Sequence, residues 1–427
     1  MEYLAIIMFL VAFGLLLYGF PVAFTLGGTA LFFGFFSLGP DFFYALPLRI
    51  FGTMNNYVLI AAPLFIYMGI MLEKSGLAAT LLETMALLFG RLRGGLAISV
   101  VLVGAMLAAS TGIVGATVVT MGLISLPTML KRGYHPALAT GTVAASGTLG
   151  QIIPPSVVLV LLGSVLNVSV GELFKEALIP GLVLVALYLL YIAFISRLKP
   201  DWAPVIPHKE IREFRDELTF KSILMAFVLP FALVAAVLGT IFAGIASPTE
   251  AAAVGGMGAI LLTAFKGKLN RKIIAEVNME TMKITSMVFM IFMGATAFSL
   301  VFRGLGGDHF LSEIVSASNL DPIMFLIMVM LIVFVAGFFI DFIEIIFIIV
   351  PVVLPIFKLM GFDLVWIGIL LAINLQTSFL TPPFGFALFY LKGVAPSGIK
   401  SGDIYKGAIP FVIIQMAFLI VLILMSH

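Results

Sequence analysis

Glycine, hydroxyl and amide residues interrupt this otherwise apolar chain at four places. Two segments lack proline, 109–117 (ASTGIVGAT) and 337–344 (GFFIDFIE), and two contain a Pro-Pro pair, 147–156 (GTLGQIIPPS) and 374–385 (NLQTSFLTPPFG). Proline removes a backbone donor and glycine permits conformations that other residues resist, so backbone carbonyls become available beside side-chain oxygens. A dehydrated hard cation prefers such oxygen ligands. We therefore expect the four segments to converge and to form two sodium sites.

Each predicted sodium site combines one proline-free segment with one Pro-Pro segment. The first site would contain Ser110, Thr111, Gly112, Gly115, Ser146, Gly147 and Thr148, and the second Gly337, Asp341, Asn374, Thr377, Ser378 and Thr381. Helix N-termini beside the breaks would attract an anionic solute. The predicted solute-binding residues are Thr111, Thr148, Arg303, Asp341 and Thr381. The alternative for each hydroxyl is close helix packing, for which membrane helices use Ser, Thr and Gly.

Asp341 is the most informative single residue. A carboxylate near the middle of a membrane costs roughly 2.5 to 3.5 kcal/mol on insertion scales and usually faces a partner or a cavity. We expect Asp341 to ligate a cation or to carry a proton, and the alternative is a paired structural carboxylate; both interpretations also apply to Glu344, one helical turn later. For Arg303 the alternatives are contact with a carboxylate solute and extension of the side chain to the membrane interface.

The composition defines the class of protein. Of 427 residues, 62% are hydrophobic and only 10% are charged, with a mean hydropathy of +1.23. The apolar runs are long and do not alternate, which indicates a polytopic all-α membrane protein and excludes a β-barrel. The net charge of +2 points to no acidic partner and no nucleic acid, and the absence of cysteine excludes thiolate chemistry. The first twenty residues lack a basic region and a cleavage site, so they predict a retained span.

Ten apolar segments have the length of a membrane span. They lie near 3–19, 22–38, 57–73, 136–165, 178–196, 222–242, 248–265, 283–303, 363–392 and 408–425. Two further stretches, 95–130 and 322–358, are each too long for one span and are broken centrally. They predict re-entrant hairpins, because non-helical backbone at membrane depth requires a protein-lined cavity.

Basic residues predict the orientation. The polar stretch 197–221 holds six Lys and Arg residues, and 266–272 is also basic, so both loops are placed in the cytoplasm. Arg91, Arg93, Lys131 and Arg132 then place the base of the first hairpin on the cytoplasmic side. Counting spans places the second hairpin on the periplasmic side, together with both termini.

The second half of the chain repeats the first with an offset of 228 residues. Pro127, Gly133, Pro154 and Pro155 recur as Pro355, Gly361, Pro382 and Pro383. Because the two hairpins open to opposite sides, the copies are inverted, which makes alternating access geometrically natural. The predicted units are N-terminal scaffold helices (1–56), repeat 1 (57–196), a linker with connecting helices (197–282) and repeat 2 (283–427). Each repeat holds a short amphipathic arm (75–90; 307–320), a hairpin and a broken span.

Motifs outside the breaks favour structure over catalysis. In SPTEAAAVG (247–255), Ser247 precedes Pro248 and stands three residues before Glu250, which predicts a capping box. There is no HExxH, and the four histidines are scattered outside metal-ligand spacing. GLGGDH (304–309) departs from the GxGD motif of intramembrane aspartyl proteases at Leu305. We therefore expect no enzyme, no cofactor and no metal other than sodium.

Three segments resemble a known family, the large membrane subunit (DctM-like) of tripartite ATP-independent periplasmic (TRAP) transporters. They are GATVVTMGLISLPTMLKRGYHPALATGTVAASGTLGQIIPPS (115–156), SPTEAAAVG (247–255) and TPPFG (381–385). The resemblance implies an elevator fold, in which a mobile domain holding the hairpins and broken helices moves against a scaffold. It also implies sodium coupling, import of carboxylate solutes delivered by a periplasmic binding protein, and a location in the bacterial inner membrane.

The resemblance further implies a partner, a small four-helix membrane subunit. No such segment precedes residue 1, so we expect it to be a separate polypeptide. Dicarboxylates, keto acids, sugar acids and sialic acid all fit as solutes. The alternative within transport is a stand-alone sodium/dicarboxylate symporter of related elevator design, and the alternatives outside it are a channel and a membrane enzyme.

Overall fold

Helices dominate the fold. The computed structural model describes residues 2–111, 114–207, 227–317 and 320–425, with the side chains of 109–111 and 316 excluded, and within these ranges the chain forms α-helices and short 3-10 turns without a β-strand. Among the described helices, seven are long and apolar enough to cross a membrane, and eight shorter ones are also apolar. Large apolar side chains such as Phe24 and Phe36 are 67% and 73% exposed, as is usual for helices that face lipid.

The N-terminal part and the first repeat contribute ten helices to the described chain. They are α1 (Glu2–Leu17), α2 (Val22–Leu38), α3 (Leu46–Met54), α4 (Ala61–Lys74), α5 (Leu77–Leu88), α6 (Gly95–Thr111), α7 (Val114–Lys131), α8 (Pro136–Thr148), α9 (Val157–Leu166) and α10 (Val170–Leu198). The predicted break at 147–156 coincides with the interval between α8 and α9. A 3-10 turn over 149–151 continues α8 before the two prolines.

The connecting segment and the second repeat supply the other described helices. They are α11 (Leu229–Phe242), α12 (Pro248–Phe265), α13 (Arg271–Gly304), α14 (Gly307–Ala317), α15 (Pro322–Ala336), α16 (Phe342–Leu359), α17 (Leu364–Leu380), α18 (Phe386–Val394) and α19 (Ser401–Leu424). The predicted break at 374–385 includes the interval between α17 and α18. The predicted break at 337–344 includes the interval between α15 and α16.

The two repeats have matching local structure. Helices α7 and α16 begin and end at positions offset by 228 residues, and α8 and α17 begin with the same offset. Gly133 and Gly361, which follow α7 and α16, both have a positive φ, of 80° and 75°. Both Pro-Pro bonds are cis. The sequence repeat is therefore a structural repeat as well.

The repeats pack against each other reciprocally. Helix α8 of repeat 1 packs on α19 of repeat 2, and α17 of repeat 2 packs on α10 of repeat 1. In the same way, α9 contacts α16 while α18 contacts α7. When element A of one copy contacts B of the other, and B of the first contacts A of the second, the two copies are related by a two-fold axis. The core thus belongs to both repeats equally.

The outer helices brace this core. Helix α4 packs along α12, and α2 packs along α13. Helix α13 has 34 residues and begins at Arg271, so it is much longer than the span predicted at 283–303. Its additional N-terminal turns carry charged residues that meet the end of α4, where Lys74 Nζ lies 2.8 Å from Glu280 Oε1. The hydropathy pattern missed these turns because they are polar on one side.

The capping box predicted at the start of α12 is confirmed. The Glu250 backbone N–H donates to Ser247 Oγ over 3.3 Å, and the Ser247 backbone N–H donates to Glu250 Oε2 over 2.8 Å. Pro248 occupies the first helical position, where a missing N–H leaves no partner unsatisfied. Glu250 therefore has the structural role that the sequence favoured.

The tightest contact between the repeats involves two glycines. A Cβ at Gly407 on α19 would overlap with the backbone oxygen of Ala137 on α8, and a Cβ at Gly141 on α8 would overlap with the backbone oxygen of Gly407. Backbone oxygens cannot move aside as a flexible side chain can. The two helices are therefore held at a separation that only glycine allows, as small residues permit in membrane proteins generally.

We predict that Gly407→Ala destabilises the protein by about 1–3 kcal/mol, the usual effect of overpacking, because α8 and α19 must separate. The measurement is thermal unfolding of the detergent-solubilised chain. Gly402→Ala is the matched control, since this position lies on the same helix and a Cβ there would meet nothing within 4 Å. Equal melting temperatures for the two variants would contradict the predicted contact.

Candidate functional site

The two broken helices lie in the centre of the protein. All residues of α8 from Ala137 to Thr148 are buried, and so are all residues of α17 from Ile367 to Leu380. A helix that is buried on every side is a core element rather than a surface element. Because each helix ends shortly before a Pro-Pro pair, both breaks occur where surrounding protein can supply partners for the freed backbone groups.

The first break presents hydroxyl oxygens in a buried position. Ser146 Oγ donates to the backbone oxygen of Val143, and Thr148 Oγ1 donates to that of Ala145, both over 2.9 Å. Each hydroxyl thus uses its proton inside the helix and keeps lone pairs that can accept or ligate. Neutral oxygens of this kind suit sodium better than they suit a transition metal.

The second break also presents hydroxyl oxygens, and it adds the side-chain amide of an asparagine. Thr377 Oγ1 donates to the backbone oxygen of Ile373 and Thr381 Oγ1 to that of Thr377, both over 2.7 Å. Asn374 Nδ2 donates to the backbone oxygen of Met330 over 2.7 Å, which fixes α17 against α15. The hydroxyl oxygens therefore follow one another along the last turns of α17.

Each break touches the end of its hairpin helix through a small residue. A Cβ at Gly337 would overlap with the Ser378 hydroxyl, and a Cβ at Gly150 would lie 2.8 Å from the backbone oxygen of Ala108. Position 150 corresponds to 378 in the repeat, and 109, the neighbour of Ala108, corresponds to 337. The contact is thus made in both repeats, with the glycine on opposite partners.

Asp341 is the N-cap residue of α16. Its Oδ1 accepts from the Phe342 backbone N–H over 2.7 Å, and its own backbone N–H donates to Glu344 Oε2 over 3.2 Å, forming a capping box. Both carboxylates are half-buried. The capping box therefore supports the structural interpretation of Asp341 and Glu344. A carboxylate has two oxygens, so Asp341 can act as a ligand as well as a cap.

Arg303 forms an ion pair outside the two breaks. Its Nε lies 3.3 Å from Asp308 Oδ2, where α13 gives way to α14. Burial raises the pKa of the Asp308 carboxyl, and the Arg303 guanidinium partly offsets this. The pairing gives Arg303 a structural role in orienting the arm helix.

Aromatic side chains pack at the start of α7 and at the second break. A Cβ at Gly115, next to the start of α7, would lie 3.0 Å from the Tyr390 ring of α18. Phe384 of the second break contacts Phe339 between α15 and α16, with ring centroids 5.4 Å apart. An aromatic ring of α18 thus packs against α7, and another aromatic pair joins the second break to the turn between α15 and α16.

Apart from Gly115, Arg303, Gly337 and Asp341, which are described above, the predicted site residues fall into three groups. Gly112 lies outside the described residues, and so do the side chains of Ser110 and Thr111. Five residues lie on the two central helices or at the second break: Thr148, Asn374, Thr377, Ser378 and Thr381. Ser146 and Gly147 pack against α6 and α7, since a Cβ at Gly104 would lie 2.5 Å from Ser146 Cβ and a Cβ at Gly147 would overlap with Val118.

Three buried glutamines and a tyrosine were missed from the sequence. Gln376 Nε2 and Gln415 Nε2 both donate to the Tyr188 hydroxyl, with 3.3 Å for Gln376. Among the described residues, the Oε1 atoms of both glutamines and both amide atoms of Gln151 have no hydrogen-bond partner. Gln151 and Gln376 stand inside the quoted break segments, and an amide in an apolar span is a signal in itself.

An apolar crevice lies away from these polar groups. It has a volume of about 730 Å³ and lies between α5, α6, α10 and α11, beside Pro154. Its walls are almost wholly Leu, Met, Val and Phe side chains, for example Leu81, Met106 and Phe231. An acidic solute would lose hydration there without gaining partners, so we do not assign this crevice to solute binding.

Paired, buried helix breaks in an all-helical apolar chain define the class: a multi-pass membrane protein of the transporter type. Residues 9–427 match the family described as "Tripartite ATP-independent periplasmic transporter, DctM component". The chain belongs to this family, which confirms the resemblance seen in the sequence. Its members are permease components of transporters, not enzymes.

Several curated relatives match nearly the whole chain. The C4-dicarboxylate TRAP transporter large permease protein of Pseudomonas aeruginosa is 32% identical, over 90% of this chain and 87% of its own length. The ectoine TRAP transporter large permease protein of Halomonas elongata is 30% identical, over 96% and 94%. The sialic acid TRAP transporter large permease protein of Vibrio cholerae is 29% identical, over 94% and 91%.

Solved structures show the same fold at low identity. The YdaH transporter of Alcanivorax borkumensis is similar over 91% of this chain and 89% of its own, with a TM-score of 0.64 and 14% identity. MtrF of Neisseria gonorrhoeae gives a TM-score of 0.66 and 13% identity, over 91% and 84%. These two likenesses concern the fold alone.

We predict that Gly337→Ala moves the end of α15 away from α17, because the added methyl overlaps with the Ser378 hydroxyl. The result should be a lower melting temperature and weaker transport. The double variant Gly337→Ala/Ser378→Gly, which places the small residue where repeat 1 has Gly150, should recover most of both losses. Thermal unfolding and solute uptake measure the effect; additive losses in the double variant would contradict the contact.

Proposed function

We propose that this chain is the large permease subunit of a sodium-coupled TRAP transporter that imports a carboxylate-containing solute. The observation that carries the proposal is the pair of buried helix breaks, each lined with neutral oxygens, in a chain of the TRAP large-permease family. In this proposal a periplasmic binding protein delivers the solute, and a small four-helix membrane subunit completes the complex. The complex resides in the bacterial inner membrane.

The class of solute is inferred from charge and from the relatives. Two relatives are named for C4-dicarboxylates and for sialic acid, both of which are carboxylic acids. An acid entering between the breaks would meet hydroxyls, amide groups and bound sodium rather than a free arginine, since Arg303 is paired with Asp308. We therefore propose that the sodium ions themselves supply much of the positive charge that the solute carboxylate needs.

The proposed sodium ligands are the oxygens at the breaks and the hairpin turns. At the first break, the hydroxyls of Ser146 and Thr148 donate to backbone carbonyls of the helix, so the lone pairs of these oxygens are available to a cation. At the second, Thr377 and Thr381 do the same. The partnerless amide of Gln151, buried beside the prolines, supports a polar occupant near the first break, because buried polar groups generally have partners.

The proposed mechanism is an elevator movement. The hairpins α6–α7 and α15–α16 would move with the broken helices against a scaffold that includes α2, α4, α12 and α13. Sodium would bind where hairpin turn and break meet, and would order the contact before the move. A ligand shifts such an equilibrium only by its differential affinity for the two states, so these sodium sites must differ between inward-facing and outward-facing states.

Uptake into proteoliposomes tests the proposal. The vesicles hold this chain and its small membrane subunit; labelled acidic solutes are added with and without an inward sodium gradient and a periplasmic binding protein. We expect uptake only when both are supplied. Uptake with sodium but without binding protein would instead favour the stand-alone symporter, and uptake independent of sodium would overturn the coupling.

Asp341→Asn separates charge from structure. Asparagine caps helices about as well as aspartate, so α16 should remain capped while the carboxylate charge is lost. We predict at least about a tenfold rise in the sodium concentration for half-maximal uptake, equivalent to about 1.4 kcal/mol. Asp321→Asn is the control, because Asp321 caps α15 in the same way, over 2.8 Å to Ile323 N–H. Unchanged sodium dependence in Asp341→Asn would remove this residue from the site.

A further inference from the structure

One histidine and two carboxylates converge where the start of α1 meets the arm helix α14. Although the four histidines are scattered in the sequence, the fold brings His309 together with Glu2 and Glu313. One ligand atom from each lies within 4.8 Å of the others. His309 Nδ1 is 3.5 Å from Glu313 Oε1 and 3.7 Å from Glu2 Oε1.

The helices fix this arrangement. His309 and Glu313 are four residues apart on α14, so they share one face of the helix. Glu2 is brought to that face by an aromatic contact, in which the Tyr3 and Phe310 rings pack edge to face with centroids 5.5 Å apart. The chain turns at Gly306, which has a φ of 82° and lies next to Glu2. A Cβ placed at Gly306 would lie 3.2 Å from the Cγ of Glu2.

The distances distinguish two interpretations. A hydrogen bond from an imidazole nitrogen to a carboxylate would span about 2.7–3.2 Å, and both observed separations are longer. Two ligands that each lie about 2.0–2.2 Å from a shared tetrahedral ion are about 3.4 Å apart. The observed 3.5 and 3.7 Å are close to that value. The two histidine–carboxylate separations are therefore longer than direct hydrogen bonds and compatible with common ligands of one ion, and the two carboxylates lie within 4.8 Å of each other.

We propose that Glu2, His309 and Glu313 bind a divalent ion of the zinc class and so tie α1 to the arm helix α14. An imidazole nitrogen with two carboxylate oxygens is a set that zinc accepts, with water as the fourth ligand. Calcium is disfavoured, because it takes six to eight oxygen ligands. The side chains are 42%, 69% and 62% exposed in the order Glu2, His309, Glu313, so ions in solution reach the site directly.

The position of the site suggests what the ion does. Helix α14 contacts α1, α13 and α16, so it links the N-terminal helix to the second hairpin. An ion held by α1 and α14 would stiffen that link from its outer end. None of its three ligands belongs to the proposed sodium sites, so this inference does not depend on sodium coupling.

The test is direct metal binding by the full-length chain, purified without a histidine tag and treated with a chelator. Zn²⁺ is titrated by calorimetry, Co²⁺ by the visible absorption that reports four-coordination, and thermal unfolding is recorded with and without Zn²⁺. We expect one ion per chain and a higher melting temperature with Zn²⁺. His309→Ala and Glu313→Gln should each weaken binding by at least about tenfold, whereas the control Glu176→Gln, an exposed carboxylate on α10, should not.

Three outcomes would overturn the proposal. They are no saturable binding to the unaltered chain, equal binding by His309→Ala, and displacement of the ion by excess Mg²⁺, which would indicate a diffuse acidic surface. Because the three ligands are partly exposed, the variants should fold. Equal melting temperatures of all variants without metal check this, so lost binding cannot be attributed to unfolding.

Discussion

A helix that ends inside an apolar layer leaves backbone N–H and C=O groups that only protein or a ligand can satisfy, and this constraint organises the whole molecule. Both Pro-Pro breaks follow deeply buried helices, α8 and α17. Each unsatisfied group in hydrocarbon would cost several kcal/mol. The hairpin helices, the last helix of the opposite repeat and the outer bracing helices are therefore arranged around the breaks.

The repeat explains how one chain builds two such breaks. Reciprocal packing of α8 on α19 and of α17 on α10 means that each repeat completes the core of the other. The symmetry is not kept in every side chain, however. Where repeat 1 has Gly150 on the broken helix, repeat 2 has Ser378 there and moves its glycine to position 337 on the hairpin. The backbone geometry is similar in the two halves while the polar groups differ, so the two proposed sodium sites need not have equal affinities.

Much of the fold follows from local signals in the sequence. Apolar runs and Pro-Pro pairs predict helices and breaks because they act through the backbone within a few residues. The capping box at Ser247 and Glu250 is a local signal of the same kind. The 228-residue offset then predicts that the two halves share these elements. The N-terminal turns of α13 were missed because they are polar on one side, and their contact with α4, through Glu280 and Lys74, joins residues that are distant in sequence. Family membership was recognisable because the segment 115–156 is long and specific.

The site was less predictable, since it depends on pairings between distant residues. The polar character of Asn374, Thr377 and Thr381 is visible in the sequence, and Asp341 and Glu344 have the spacing of a capping box, but the pairing of Arg303 with Asp308 is visible only in three dimensions. Tyr188 and Gln415, which meet across the two repeats, give no joint signal at all. A polar residue in an apolar span signals importance, whereas its partner is chosen by the fold.

Contacts of this kind also connect the two repeats directly. The Tyr390 ring of α18 packs against α7, where a Cβ at Gly115 would lie 3.0 Å from the ring, so a larger residue at position 115 would displace α18. Asp341 meanwhile holds the first turn of α16 through its cap. In the proposed function, a cation that draws on this carboxylate would act on α16 through that cap. The contact of Tyr390 with α7 and the cap of α16 are thus separate features, one between the repeats and one within the second repeat.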